Sequence, residues 1–206
     1  MIRNFFLAAA LALPAAAAPV SYSIDPAHSA ASFGVRHMMV SNVRGELGKV
    51  GGTVVWDKDD PAKSSVEATI DVKAISTREE KRDTHLRSAD FFDVVKYPEL
   101  KFKSTKVEKT ADGKLKIAGD LTMRGVTRPV VLEAEVPGTE VGMKAWGVIK
   151  TGTTAATKLN RKEFGVSWSQ NLDSGGVVVG DEVSVQLDVE LNRPDPAAAK
   201  ADPAKK

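Results

Sequence analysis

Cysteine is absent from all 206 residues. That excludes disulfides, thiolate metal centres and a cysteine nucleophile, and leaves stability to packing and backbone pairing. An oxidising compartment permits disulfides without requiring them, so the absence is compatible with export. Histidine is scarce, with only His28, His37 and His85. No two of these are spaced i,i+4 on one helix, and no H-E-x-x-H run occurs, so the usual zinc signature is missing. A G-x-S-x-G elbow is missing as well, and with it the common serine-hydrolase signature. Neither sign of charge dominates: 29 lysines and arginines oppose 27 aspartates and glutamates, for a net +2. These charges are mixed along the chain, unlike the concentrated basic face of a nucleic-acid binder. There is no internal repeat and no sign of a second domain.

Long apolar runs are confined to the start. Met1 to Asn4 is a short cationic region, Phe5 to Ala18 is almost wholly apolar apart from Pro14, and Ala15 to Ala18 fit an A-x-A cleavage site. Residues 1–18 therefore read as a secretory signal peptide, too short for a span of about 20 helical residues. The expected destination is the periplasm. At the other end, Pro194 to Lys206 contain only Pro, Asp, Ala and Lys. Such a segment has nothing to bury and reads as a disordered tail over 194–206.

Between these ends, most of the chain alternates with period two. Val66, Ala68, Ile70 and Val72 share one face of a strand, as do Leu115, Ile117, Leu121 and Met123 of another. The stretches 130–136 and 183–191 repeat the arrangement. One apolar and one wet face marks antiparallel strands, and Arg124-Gly125, Pro137-Gly138 and Ala111-Asp112-Gly113 supply turns. About eight long strands are expected. They can close on themselves and remove their edges. The expected fold class is all-β, an eight-stranded antiparallel barrel over residues 19–193 with one or two short helices; a sandwich is the alternative. One helix would begin at Thr77 as N-cap, with Glu80 completing a capping box, and run to about Ser88. It has Leu86 as its only large apolar residue, so it reads as a cover over one barrel end. The other would span Asn160 to Gly165, with Asn160 as N-cap and Gly165 as the stop.

Local motifs then align in a distinctive order. They are Asp25-Pro26-Ala27-His28-Ser29, Phe33-Gly34-Val35-Arg36-His37-Met38, Val43-Arg44-Gly45, and Arg82-Asp83-Thr84-His85-Leu86 with Asp90-Phe91-Phe92-Asp93. Tyr97-Pro98, Gly119-Asp120-Leu121-Thr122, Gly125 to Val130, Asn160 to Gly165 before Trp168, and Gly180-Asp181-Glu182-Val183 follow. In this order and density, residues 22 to 191 resemble the YceI family of lipocalin-like periplasmic proteins. The resemblance implies a barrel with a long apolar interior that binds polyisoprenoids or related amphiphiles, and commonly a dimer.

The function expected on these grounds is a non-catalytic periplasmic carrier or sequestering protein. Its ligand would be a polyisoprenoid, an isoprenoid quinone or a similar long-chain lipid, with no cofactor, metal or nucleic acid. Phe33, Val35, Phe91, Phe92, Phe102, Leu121, Trp146, Phe164 and Trp168 are the candidate apolar contacts, and His37, Arg82 and His85 the candidate head-group contacts. A homodimer is a candidate assembly. Three rival arrangements are weighed against this. The three histidines could hold a metal. Asp25, His28 and Ser29 could form a hydrolase triad, although neighbours on a strand alternate faces and converge with difficulty. Arg82, Asp83, His85 and Arg87 could form a catalytic cluster, but Asp83 and Arg87 can simply pair at i,i+4 while Arg82 meets Asp25, Asp90 or a lipid phosphate. The two remaining function classes are a lipid- or quinone-modifying enzyme and a stress-related interaction protein without lipid cargo.

Overall fold

The computed structural model describes residues 18–198. The expected signal peptide, apart from Ala18, lies outside the described residues, as do residues 199–206 of the expected tail. The strands are β1 Val20–Ile24, β2 Ala30–His37, β3 Ser41–Glu46, β4 Lys49–Trp56, β5 Ser65–Asp71, β6 Glu99–Lys109, β7 Leu115–Met123, β8 Val126–Ala134, β9 Val141–Met143, β10 Val148–Asn160 and β11 Val179–Pro194. Among the described residues there is one α-helix, α1, spanning Glu80–Arg87. All pairings are antiparallel and form a single sheet in the order β3-β2-β11-β1-β4-β5-β6-β7-β8-β10-β9, with β10 and β11 also paired.

That last pairing closes the sheet into a ring. β10 and β11 run together from Val148 opposite Pro194 to Asn160 opposite Glu182, so β1, β4, β5, β6, β7, β8, β10 and β11 form an eight-membered barrel. Closure removes the edges that a sandwich would expose. The three further strands are additions to the ring. β11 is long enough to pair with β2 along Val179 to Asp188 and with β1 at Leu191 and Asn192. β2 and β1 thus divide one edge of β11 between them, and the β2–β3 hairpin extends the barrel wall at the end where α1 lies. β9 pairs only with β10.

Period-two burial follows the sequence pattern. Leu115, Ile117 and Met123 of β7 are buried, as are Val185 and Leu191 of β11. In β6 the alternation changes phase. Leu100 and Phe102 face inward and so does Val107, because the register with β7 slips between Ser104 and Lys106. A β-bulge inserts one residue and re-aims everything after it.

The two predicted helices are both present, with one boundary corrected. Thr77 is not the N-cap of α1. Glu79 is, its carboxylate accepting from Lys81 N at 3.3 Å and Arg82 N at 2.7 Å. Arg78 adopts φ 64, which turns the chain before the helix begins. Thr77 is instead taken by Asp83, whose Oδ1 accepts from both its backbone N–H and its hydroxyl. The second helix is a 3-10 turn over Arg161–Phe164, capped by Asn160 and stopped by Gly165 in a left-handed conformation. The ordered chain also reaches past the expected tail boundary. Pro194 still pairs with Val148, and Asp195 N donates to Gly147 O at 2.9 Å.

The end of the barrel opposite α1 is strapped by the β8–β10 connection. Glu140 in this connection accepts from Arg193 Nε at 2.6 Å and Nη2 at 2.7 Å, and from the hydroxyl of buried Tyr22 at 2.6 Å. The Arg193 hydrogen bonds hold the Glu140 carboxyl at a pKa of about 2, below its ordinary 4.5. A depressed carboxylate stabilises the fold above its unfolded pKa and loses that contribution as pH falls through its folded one. Glu140→Gln is therefore expected to flatten part of the acid limb of stability between about pH 4.5 and 2, read by denaturant titration at several pH values. The side chain is 38 % exposed, so solvent screening limits the effect to about 0.5–1 kcal/mol.

Candidate functional site

The barrel interior is not filled by its own side chains. It encloses a cavity of about 520 Å³, bounded by inward residues of the ring strands and by α1 and its flanking loops. The lining is almost wholly apolar along the barrel: Val54 and Trp56 from β4, Val66, Ala68 and Ile70 from β5, Phe102 from β6, Leu121 from β7, Val130 and Leu132 from β8, and Val185 and Leu187 from β11. Many of these positions are only half-buried although they point inward, because the cavity leaves their inner faces without a packing partner. A second packed cluster of Val107, Leu115, Ile117 and Ala134 stands towards the end remote from α1.

The shape of the cavity depends on a missing side chain. A Cβ at Gly119 would lie 2.5 Å from the Phe102 ring and 2.5 Å from Lys103 O. Cζ and Cε2 of the ring occupy the space that a side chain at this position would take. Gly119→Ala is expected to displace the Phe102 ring and cost about 1–3 kcal/mol by overpacking, with denaturation midpoints and near-ultraviolet dichroism as the readout. Gly45 has the same character, with Phe33 and Ser76 O in the space its Cβ would take.

Most charged groups of the lining gather at the α1 end, Arg36, Glu79, Lys81, Arg82 and Arg161, together with His37 and His85; Ser64, Lys101, Glu135, Thr153 and Thr157 complete its polar residues. His85 sits edge-on between two aromatic rings, 4.9 Å from the centroid of Phe91 and 4.9 Å from that of Trp168. Its Nε2 is 2.9 Å from Asp90 Oδ2. Arg82 donates from Nε to Thr77 Oγ1 at 2.7 Å and from Nη2 to Thr77 O at 3.1 Å. This leaves Nη1 free of any protein acceptor among the described residues. A buried carboxylate, a threonine and a guanidinium thus brace one another, with Arg82 in the cavity lining. Arg161 is only 5 % exposed. It donates to the carbonyls of Gly180, Val166, Trp168 and Val179 at 2.7–3.1 Å, tying the 161–181 segment together and seating Trp168. Burial pulls its pKa below the ordinary value, with Asp181 opposing that shift.

Of the residues singled out from sequence, Phe33, Val35, His37, Arg82, His85, Phe91, Phe92, Phe102, Leu121 and Trp168 line the cavity. Trp146 and Phe164 do not. Trp146 is 67 % exposed in the 3-10 turn between β9 and β10, because that hairpin projects beyond the ring. Phe164 is fully buried in the main core, but its 3-10 turn packs it against β8 and β11 at the wall. Arg36, Glu79, Lys81 and Trp56 were missed. Trp56 was legible, since it continues the alternation of Val50 and Val54, whereas the charged residues reach the cavity only through tertiary folding.

The expected pairings of the Arg-Asp-His segment are also corrected. Arg82 meets Thr77 rather than Asp25 or Asp90. Arg87 pairs with Glu80 at 2.9 Å rather than with Asp83, because Thr77 has already taken the Asp83 carboxylate into the interior. Asp25 and His28 do converge, with His28 Nδ1 3.0 Å from Asp25 Oδ2. They lie in the β1–β2 loop, where the strand alternation that argued against convergence does not apply. Ser29 is turned away, its hydroxyl accepting from Glu190 N at 3.0 Å, so no nucleophile faces the imidazole. His28 is not joined by His37 or His85. Its ligand atoms cluster with those of Asp25 and Glu190, but the Lys150 ammonium occupies that cluster, bonded to both carboxylates. Hydrogen bonds from His28, Asn192 and the Ala27 N–H, with Lys150 behind them, hold the Asp25 carboxyl well below the usual carboxylate range. Among the described residues no helix is long and apolar enough to cross a membrane.

This geometry has counterparts. The solved structure of a Campylobacter jejuni YceI protein superimposes with a TM-score of 0.62 at 29 % identity, covering 77 % of this chain and 89 % of that one. A polyisoprenoid-binding domain from Saccharophagus degradans shares the fold with a TM-score of 0.60 at 14 % identity, over 84 % of this chain and 98 % of that one. In sequence, a UPF0312 protein of Vibrio cholerae is 38 % identical over 162 residues, which is 78 % of this chain and 85 % of the relative. The YceI-like domain model matches residues 22–191, from the second residue after Val20 opens the barrel to the last buried leucine of its closing strand. A match over the whole ring, with its cavity intact, means that the chain belongs to the YceI family.

Proposed function

We propose that this protein is a non-catalytic carrier of a long-chain isoprenoid lipid, a polyisoprenoid or an isoprenoid quinone, held with its chain in the barrel and its head at the α1 end. The observation that carries the reading is the apolar cavity of about 520 Å³ with most of its charged side chains, Arg36, Glu79, Lys81, Arg82 and Arg161, at one end. Ligand pockets are typically about 300–1,000 Å³ and apolar, with a few polar groups that fix orientation. Each Å² of chain removed from water contributes about 25 cal/mol, and the interior offers little to a polar ligand. The likeness to a polyisoprenoid-binding domain supports the same class of cargo. The N-terminal residues support export to the periplasm.

The test is direct. The mature protein is purified, extracted with organic solvent, and the extract identified by mass spectrometry. An isoprenoid near one per chain is the expected result. An empty extract, together with no uptake of added quinone or prenol, would overturn the proposal and favour an interaction protein without lipid cargo.

A further inference from the structure

The polar end of the cavity is also where apolar side chains stand in water without an internal reason. Between β2 and β3, Met38, Met39 and Val40 are 44 %, 54 % and 77 % exposed, and Val95 in the α1–β6 loop at the same end is 95 % exposed. The hairpin tip is unusual in its backbone as well. Met38 and Met39 both have positive φ, 48 and 62. Two consecutive left-handed residues make the kind of tight hairpin turn for which Asn-Gly is the favoured pair, and a bulky side chain there is uncommon and costs energy. Such strain, once observed, points to use.

The tip is also held firmly. Met38 N donates to Val178 O at 2.8 Å, and Arg36 donates from Nη2 and Nε to Met39 O at 2.8 and 3.2 Å. Arg36 and His37, the two residues before it, line the cavity. The charged lining at this end carries Arg36, Lys81, Arg82 and the buried Arg161 against Glu79. An apolar spike beside a cationic opening complements a bilayer with anionic head groups, because the methionines enter the head-group boundary while the cations meet phosphate. The same excess of cations disfavours a second copy of the chain facing it across the tip.

We infer that the Met38–Val40 tip docks the cavity mouth onto an anionic phospholipid surface. The role rests on the carrier reading: a chain too apolar to cross water passes between bilayer and barrel where the two touch.

The experiment compares the intact mature protein with a Met38→Asn, Met39→Gly, Val40→Ser variant. The new turn is the one the backbone prefers, so the variant is expected to melt no lower than the parent. Both are floated with vesicles of phosphatidylethanolamine and phosphatidylglycerol, and with vesicles of phosphatidylcholine alone. Uptake of geranylgeraniol from solution is measured alongside. The expected result is flotation of the parent with the anionic vesicles, weakened on the order of tenfold or more in the variant, with prenol uptake unchanged. Equal flotation of the two proteins, or none by the parent, would overturn docking. So would a parent dimer that the variant dissociates without any vesicle binding, since the tip would then be an interface between copies. Prenol uptake absent from both proteins would overturn the cargo reading instead, while flotation still decides docking.

Discussion

Replacing Arg161 by methionine is expected to cost about 3–5 kcal/mol of folding free energy, the largest stability effect of any single change outside the hydrophobic core. The guanidinium spreads its donors over four backbone carbonyls from two segments, Val166 and Trp168 on one side and Val179 and Gly180 on the other. Methionine matches the length of the stem but offers no donor, and each buried carbonyl left without a partner costs about 1–3 kcal/mol. Breaking a buried charged network by removing one partner costs a similar total. Arg161→Lys is expected to recover little, because an ammonium cannot reproduce the planar fork that reaches both segments at once. Urea denaturation measures the loss. The consequence extends to the site, since Trp168 takes its place against His85 and Phe91 through the carbonyl that Arg161 holds. A Lys variant as stable as the parent would show that the network is decorative.

The second large effect concerns the cavity. Ala68→Phe is expected to weaken isoprenoid binding by on the order of 50- to 100-fold while leaving the barrel folded. Ala68 lies on β5 between Gly52 of β4 and Phe102 of β6 and faces the cavity. A phenyl ring there projects into space rather than into packed side chains. If it displaces roughly 100 Å² of ligand contact, the loss is about 2.5 kcal/mol at 25 cal/mol per Å², and each 1.4 kcal/mol is about tenfold in affinity. Trp56 and Trp168 both line the cavity, so quenching of their fluorescence by an added isoprenoid quinone reports occupancy. Unchanged affinity in a folded variant would place the ligand elsewhere. A carrier whose chain threads the barrel has no alternative route around a plug at β5.

The histidines illustrate how the three rival chemistries separate once positions are known. His37 and His85 belong to the cavity end, and His28 belongs to the outer face with Asp25, Glu190 and Lys150. The Lys150 ammonium already bonds both carboxylates beside His28. The imidazole of His85 is flanked by two aromatic rings and one aspartate.

What the sequence determined by itself is the part of the molecule governed by local periodicity. Alternation in 65–72, 114–123, 130–136 and 183–191 placed the inward faces of β5, β7, β8 and β11 correctly, because side chains of an extended chain must alternate whichever partner they find. It also determined that the barrel would be apolar inside, and Asn160 and Gly165 marked their 3-10 turn through capping chemistry alone. Only the tertiary structure decided the rest. Thr77 looked like a helix cap until Asp83, six residues on, competed for its hydroxyl. Trp146 looked like a lining residue until the β9–β10 hairpin carried it past the ring. The bulge after Ser104, the division of one β11 edge between β1 and β2, and the gathering of Arg36, Lys81 and Arg82 around one mouth have no periodic signature. Each is a pairing between residues far apart in the chain, set by closure of the ring rather than by the neighbours that a linear sequence displays.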